Sequence, residues 1–191
     1  MKTLEEQLDA AGLKVIGHCK SLSKYSAELS KTSPLLIDMT AQEVDLLGQS
    51  MLLVSAEPGQ ALIREGEVGE WMLLLLKGTV DVTKQVVQTA EQRAEDAGTD
   101  AEAEKPMTTS RIAVIQCGAS LGEMSMLDSE PRYASCIAIE AVEAGVLGRH
   151  EIALLIRDHP AVGAKLLVKI TQLMAQRLRN TTNHLVKLLQ K

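Results

Sequence analysis

The feature that most constrains the fold is a series of short β-prone runs between residues 51 and 87, broken by Pro58-Gly59, Gly66, Gly69 and Gly78. Turn signals at intervals of roughly 8 to 12 residues leave no room for helices between strands, so they predict an antiparallel roll or sandwich rather than βαβ units. The longest apolar run, Trp71-Met72-Leu73-Leu74-Leu75-Leu76, has strand length. Strand-like sequence resumes at Arg111-Ile112-Ala113-Val114-Ile115, then at Ile137-Ala138-Ile139 and Ala144-Gly145-Val146-Leu147. The chain is 46% hydrophobic but contains no Phe and only 2% aromatic residues. Its core must come from Leu, Ile, Val, Met and Ala. The same shortage argues against the aromatic platforms on which single-strand nucleic-acid binders stack bases.

Helical patterns flank this β-rich centre. Leu4, Leu8, Leu13 and Ile16 lie near helical spacing, so residues 1–33 read as a helical extension that breaks at Ser33-Pro34. Thr40 with Glu43 predicts a capping box at the start of a short helix carrying Val44, Leu46 and Leu47. Residues 88–109 are rich in Ala, Glu and Thr and have little to bury, so they read as a solvated acidic insert or, alternatively, an arm for a partner. Residues 34–150 would then form the roll and residues 151–191 two helices. The first of these, over residues 151–158, should stop near His159-Pro160. The second runs over residues 161–189. Leu167, Ile170, Met174, Leu178, Thr181, Leu185 and Leu188 follow each other at steps of 3 or 4 residues, close to a heptad seam. A helix this long after a small roll predicts a second copy packed along the seam; folding back on its own roll is the alternative.

Several function classes lose support on composition. The net charge is −5 and the pI about 5.4, which offers no overall basic balance for phosphate backbones. Cys19, Cys117 and Cys136 are far apart and odd in number, and His18, His150, His159 and His184 are scattered, so no metal or iron–sulfur spacing appears. There is no P-loop, nucleophile elbow or zinc-hydrolase motif, and no enzyme is expected. The charged start, Met1-Lys2-Thr3-Leu4-Glu5-Glu6, lacks the apolar region of a signal peptide. No stretch approaches the roughly 20 apolar residues of a membrane span. A cytoplasmic protein is the expectation.

The stretch that carries chemistry is Leu121-Gly122-Glu123-Met124-Ser125-Met126-Leu127-Asp128-Ser129-Glu130-Pro131-Arg132-Tyr133-Ala134. Gly122 can supply a tight turn or close backbone approach. A short helical turn from Glu123 would expose free N–H groups suited to an anion. Arg132 can donate two parallel hydrogen bonds to a phosphate, and Glu123 can accept from a sugar hydroxyl. By residue chemistry alone, Glu123 and Arg132 could equally form a surface ion pair worth under about 1 kcal/mol.

At these residues the chain resembles the cyclic-nucleotide-binding domain family, which includes the bacterial catabolite activator, kinase A regulatory subunits and gated channels. Leu121-Gly122-Glu123 followed by Pro131-Arg132-Tyr133-Ala134 is similar to the family's phosphate-binding cassette. Upstream, Leu62-Ile63-Arg64-Glu65-Gly66-Glu67 and Lys77-Gly78-Thr79-Val80 resemble its spaced glycines. The resemblance covers about residues 34–189 and implies an α+β fold: an antiparallel β-roll of jelly-roll type (a double-stranded β-helix), with N-terminal helices and a long C-terminal helix. It implies a ligand site at Leu121, Gly122, Glu123, Met124, Arg132, Tyr133 and Ala134. Gly122 and Arg132 would take the cyclic phosphate, and Glu123 the ribose 2′-hydroxyl. Thr181 and Thr182 occupy the place of the C-helix pair that meets adenine in the bacterial activators.

Two departures stand out. Tyr133 replaces the small or hydroxyl residue usual after the arginine, and the absence of Thr there leans towards cAMP over cGMP. The sequence ends at Lys191, where DNA-binding activators of this type continue into a winged helix; direct DNA binding is therefore not expected. The resemblance implies a non-enzymatic cyclic-nucleotide sensor, without cofactor, that dimerises and signals by C-helix rearrangement to an effector protein. The alternatives are a dimeric interaction scaffold whose pocket Tyr133 fills, or a sensor of another messenger such as cyclic di-GMP.

Overall fold

The structure is a computed structural model and describes residues 3–25, 29–87 and 107–190. Its elements are α1 (Leu4–Ala10), β1 (Lys14–His18), α2 (Leu22–Tyr25), α3 (Leu29–Thr32), α4 (Ala41–Gln49), β2 (Leu52–Ala56), β3 (Ala61–Ile63), β4 (Trp71–Lys77), β5 (Thr79–Val87), β6 (Met107–Gln116), β7 (Ser120–Leu121), α5 (Glu123–Asp128), β8 (Ser135–Ala138), β9 (Val142–Gly148), α6 (Arg149–Asp158) and α7 (Pro160–Leu189).

The strands form two antiparallel sheets, in the orders β1-β2-β9-β4-β7 and β3-β8-β5-β6. With the long C-terminal helix, this is the antiparallel jelly-roll architecture that the resemblance implies. The apolar run of β4 shows why the roll holds. Side chains alternate across a strand, and here both faces are covered. Leu73 and Leu75 join Leu52, Val54, Val80 and Val146 in one core cluster. Met72, Leu74 and Leu76 turn the other way, onto Leu47, Ile152, Leu166 and Ile170 of the helical layer. Strand β2 alternates buried and half-buried residues, as expected of a strand nearer the sheet edge.

The helical expectation for residues 1–33 holds only in part. α1 begins with a capping box, Thr3 with Glu6, and ends at Gly12, whose φ of 76° lies in the left-handed region. The Leu13 N–H then donates back to the Leu8 carbonyl at 2.9 Å, and both leucines enter the core. Past this stop the chain runs extended, and Lys14–His18 pairs with β2 as a strand of the roll. Leu13 and Ile16 matched a helical spacing, but the glycine stop and the open edge of β2 outweigh it. The expected break at Ser33-Pro34 follows α3, and the Thr40–Glu43 capping box forms at the start of α4.

The acidic insert falls mostly on residues 88–106, outside the described residues. Residues 107–109, which the sequence placed within it, instead start β6, where Met107 pairs with Val87. Downstream, the chain breaks at His159, and Pro160 opens α7 at a position where its missing N–H costs nothing.

Candidate functional site

Strand β7 pairs with β4 through Leu73↔Leu121 and Leu74↔Ser120, which fixes the start of the cassette against the roll. Leu121 is buried in the inter-sheet core. Gly122 follows with φ 80°, and a Cβ there would stand 2.5 Å from Arg132 Nη1 and 3.0 Å from Ile63 Cδ1. Glycine is needed twice over, for the left-handed backbone and for the approach of the guanidinium. α5 then runs to Asp128 and closes on Ser129, itself at φ 65°. Arg149 holds this end, donating to the Met126 carbonyl and to Ser129 Oγ at 2.9 Å.

Arg132 is only 4% exposed. Its Nη1 donates to the Gly122 carbonyl and its Nη2 to the Trp71 carbonyl, each at 2.7 Å, and its guanidinium lies 4.4 Å over the Trp71 ring. Gly69 gives it room, since a Cβ at that residue would be 2.5 Å from Nη2. Burial draws the guanidinium down to about 10, against favourable charges that include Glu123 and Glu67. It therefore stays cationic at neutral pH.

Glu123 is fully buried and does not pair with Arg132, so the surface ion pair is not what forms. Its Oε1 accepts from Arg177 of α7, whose Nη2 also donates to the Ser120 carbonyl at 2.7 Å. Glu123 Oε2 and Ser120 Oγ are buried and have no hydrogen-bond partner. Both are free to meet a further polar group.

The remaining expected site residues are dispersed. Met124 is about half exposed, and Ala134 is partly buried. Tyr133 is 64% exposed. Its ring lies 4.0 Å from Lys84 Nζ, which also donates to the Tyr133 carbonyl at 2.7 Å and to Glu65 Oε1 at 2.8 Å. The ring is therefore exposed against Lys84 rather than buried. Thr181 and Thr182 lie on the exposed part of α7, and the Thr182 hydroxyl donates to Leu178 of its own helix. Arg177, one turn earlier, hydrogen-bonds the cassette at Glu123 and at the Ser120 carbonyl.

Arg177, Trp71 and Ser120 have no role at the site in the sequence reading: Trp71 enters only in the apolar strand run, and Arg177 only within Met174-Ala175-Gln176-Arg177-Leu178, a stretch likened to the C-helix. Arg177 sits between seam positions Met174 and Leu178, but nothing in the sequence says that it, rather than Arg179, turns to the roll. Among the described residues no group of three or more His, Cys, Asp or Glu could hold a metal, and none of the three cysteines forms a disulfide. No described helix is long and apolar enough to cross a membrane.

No family model matches the chain. Among curated proteins it is 28% identical to a cyclic AMP receptor protein of Thermus thermophilus over 149 residues, 78% of this chain and 59% of that protein. It is 27% identical to a cAMP-dependent protein kinase regulatory subunit of Yarrowia lipolytica over 119 residues, 62% of this chain and 26% of that protein. The chain thus spans less than two thirds of the curated relatives it matches. Among solved structures, a cyclic nucleotide-binding domain from Methylobacillus flagellatus superposes with a TM-score of 0.74 at 28% identity, covering 97% of this chain and 94% of that one.

Proposed function

The homologues and structural neighbours of this chain are cyclic-nucleotide-binding domains, and from this we propose that it is itself a cyclic-nucleotide sensor, with cAMP as its ligand and no catalytic step of its own. The relatives are regulatory proteins rather than enzymes. One observation carries the reading. Glu123 and Arg132, which the cassette resemblance assigns to sugar and phosphate, are the buried charged side chains gathered around Gly122, and Glu123 keeps an unpartnered oxygen. A cyclic phosphate supplies an anion to a guanidinium whose hydrogen-bond acceptors here are neutral carbonyls, and arginine–phosphate pairs, frequently bidentate, are among the strong ones. The sugar supplies a donor to Glu123.

The output runs through α7. Its seam beyond the roll pairs with a second copy, and ligand binding shifts the balance between two α7 arrangements that an effector protein distinguishes. The sensor reading is favoured over the silent scaffold by the exposure of Tyr133, the residue on which that alternative rests.

Calorimetric titration with cAMP, cGMP and cyclic di-GMP, with AMP as control, tests the ligand. Saturable binding of cAMP alone is expected. Arg132→Ala should weaken it roughly tenfold to a hundredfold, the range for losing bonds made by a charged group. It should also lower stability by about 1–3 kcal/mol, because the carbonyls of Gly122 and Trp71 lose their donor. Folding is therefore checked by circular dichroism before titration. No heat with any nucleotide, from folded protein free of co-purified ligand, would reject the reading.

A further inference from the structure

Glu123 uses one of its two oxygens. Arg177 takes Oε1, while Oε2 is buried without a partner. The other arm of the same guanidinium holds the Ser120 carbonyl at 2.7 Å, so Arg177 clasps the cassette on both sides of Leu121-Gly122. Its side chain is 42% exposed, whereas that of Glu123 is 1% exposed. The carboxylate is fixed in place, and the arginine is the part that can leave. A buried carboxylate oxygen with no donor is costly, and a guanidinium already bound at Oε1 does not supply one to Oε2.

Building on the cyclic-nucleotide reading, we infer that Arg177 is a positioning residue that holds Glu123 by Oε1 so that Oε2 accepts a hydroxyl of the ligand's sugar. Arg177 does not compete with the ligand. One carboxylate joins both, with α7 on one oxygen and the sugar on the other. Seating of α7 and binding of the sugar then favour each other, as linkage requires. A ligand that lacks the hydroxyl leaves Oε2 unsatisfied and does not tighten α7.

The test compares cAMP with its 2′-deoxy analogue, titrated into the full chain and into Arg177→Gln. Wild-type protein is expected to prefer cAMP by roughly tenfold or more, the value of one hydrogen bond to a charged group. In Arg177→Gln that ratio should fall towards one, chiefly through weaker cAMP binding. A role confined to helix packing would weaken both ligands together and leave the ratio unchanged. Hydrogen exchange supplies a second readout: cAMP, but not the deoxy analogue, should slow exchange in α7 around residues 171–177 of the wild type. An unchanged ratio overturns the inference, as does tighter cAMP binding by Arg177→Gln, the signature of competition. If Arg177→Gln does not fold, Arg177→Lys decides, with a reduced ratio in support and an unchanged one against. Wild-type protein that binds neither nucleotide rejects the sensor function itself, and this inference with it.

Discussion

In the first half of α7, Val162, Gly163, Leu166 and Ile170 are buried against the roll and its helices. Lys165 and Lys169 reach back to Glu43 and Asp38 at 2.7 and 2.5 Å, and Arg177 to Glu123. In the second half, residues 178–190 are all exposed. Leu178 is 69% exposed and Leu189 86%, with Leu185, Val186 and Leu188 about half exposed. The apolar periodicity runs through both halves, but only the first has a surface to meet. About a dozen residues of isolated helix are marginal in water, so the exposed half is where the proposed second copy would pack. Arg177 stands at the junction of the two halves, bonded to Glu123 and to the Ser120 carbonyl.

The comparison breaks most sharply at Leu166. Leu166→Ala should cost about 2–5 kcal/mol in urea unfolding, the range for a buried leucine that leaves a cavity. A cost near zero would mean that the first half is not anchored as described. The pair Leu178→Glu and Leu185→Glu should leave the stability of the isolated protomer within about 0.5 kcal/mol, as expected of exposed positions. It should convert a sedimenting dimer to monomer. Wild-type protein that sediments as a monomer would remove the second copy from the picture. The smallest effect belongs to Lys165→Met. Lys165 hydrogen-bonds Glu43 and, with the Thr40 cap, holds that carboxyl below its ordinary value. A depressed carboxylate stabilises above its unfolded pKa and loses that contribution as pH falls through the folded value. The slight difference in melting temperature between wild type and Lys165→Met should therefore be present at neutral pH and vanish in acid.

Much of the fold was legible because it is written in short-range patterns. The glycine rhythm announced an antiparallel roll. Thr40 with Glu43 announced a helix start. The spacing of Leu167, Ile170 and Met174 announced the long helix. Strand β1 was not legible. Its edge position leaves its burial alternating only between exposed and partly buried, Lys14-Val15-Ile16-Gly17-His18 carries no apolar–polar alternation, and Leu13 with Ile16 imitated a helix. At the site, Gly122, Glu123 and Arg132 were legible as a spaced motif, and the structure brings them together. Trp71 read only as core, yet its carbonyl and ring hold Arg132.

By itself the sequence determined what depends on neighbours along the chain: where turns fall, which segments are strand or helix, and which residue types the cassette carries. Only the tertiary structure decided what depends on partners far apart in sequence. Arg177 meets Glu123 across 54 positions, and Arg132 meets Trp71 across 61. Tyr133 turns outward onto Lys84, across 49. The physical reason is that burial and charge pairing are properties of the assembled surface, where the position of α7 determines which arginine meets the buried carboxylate and which leucines remain uncovered.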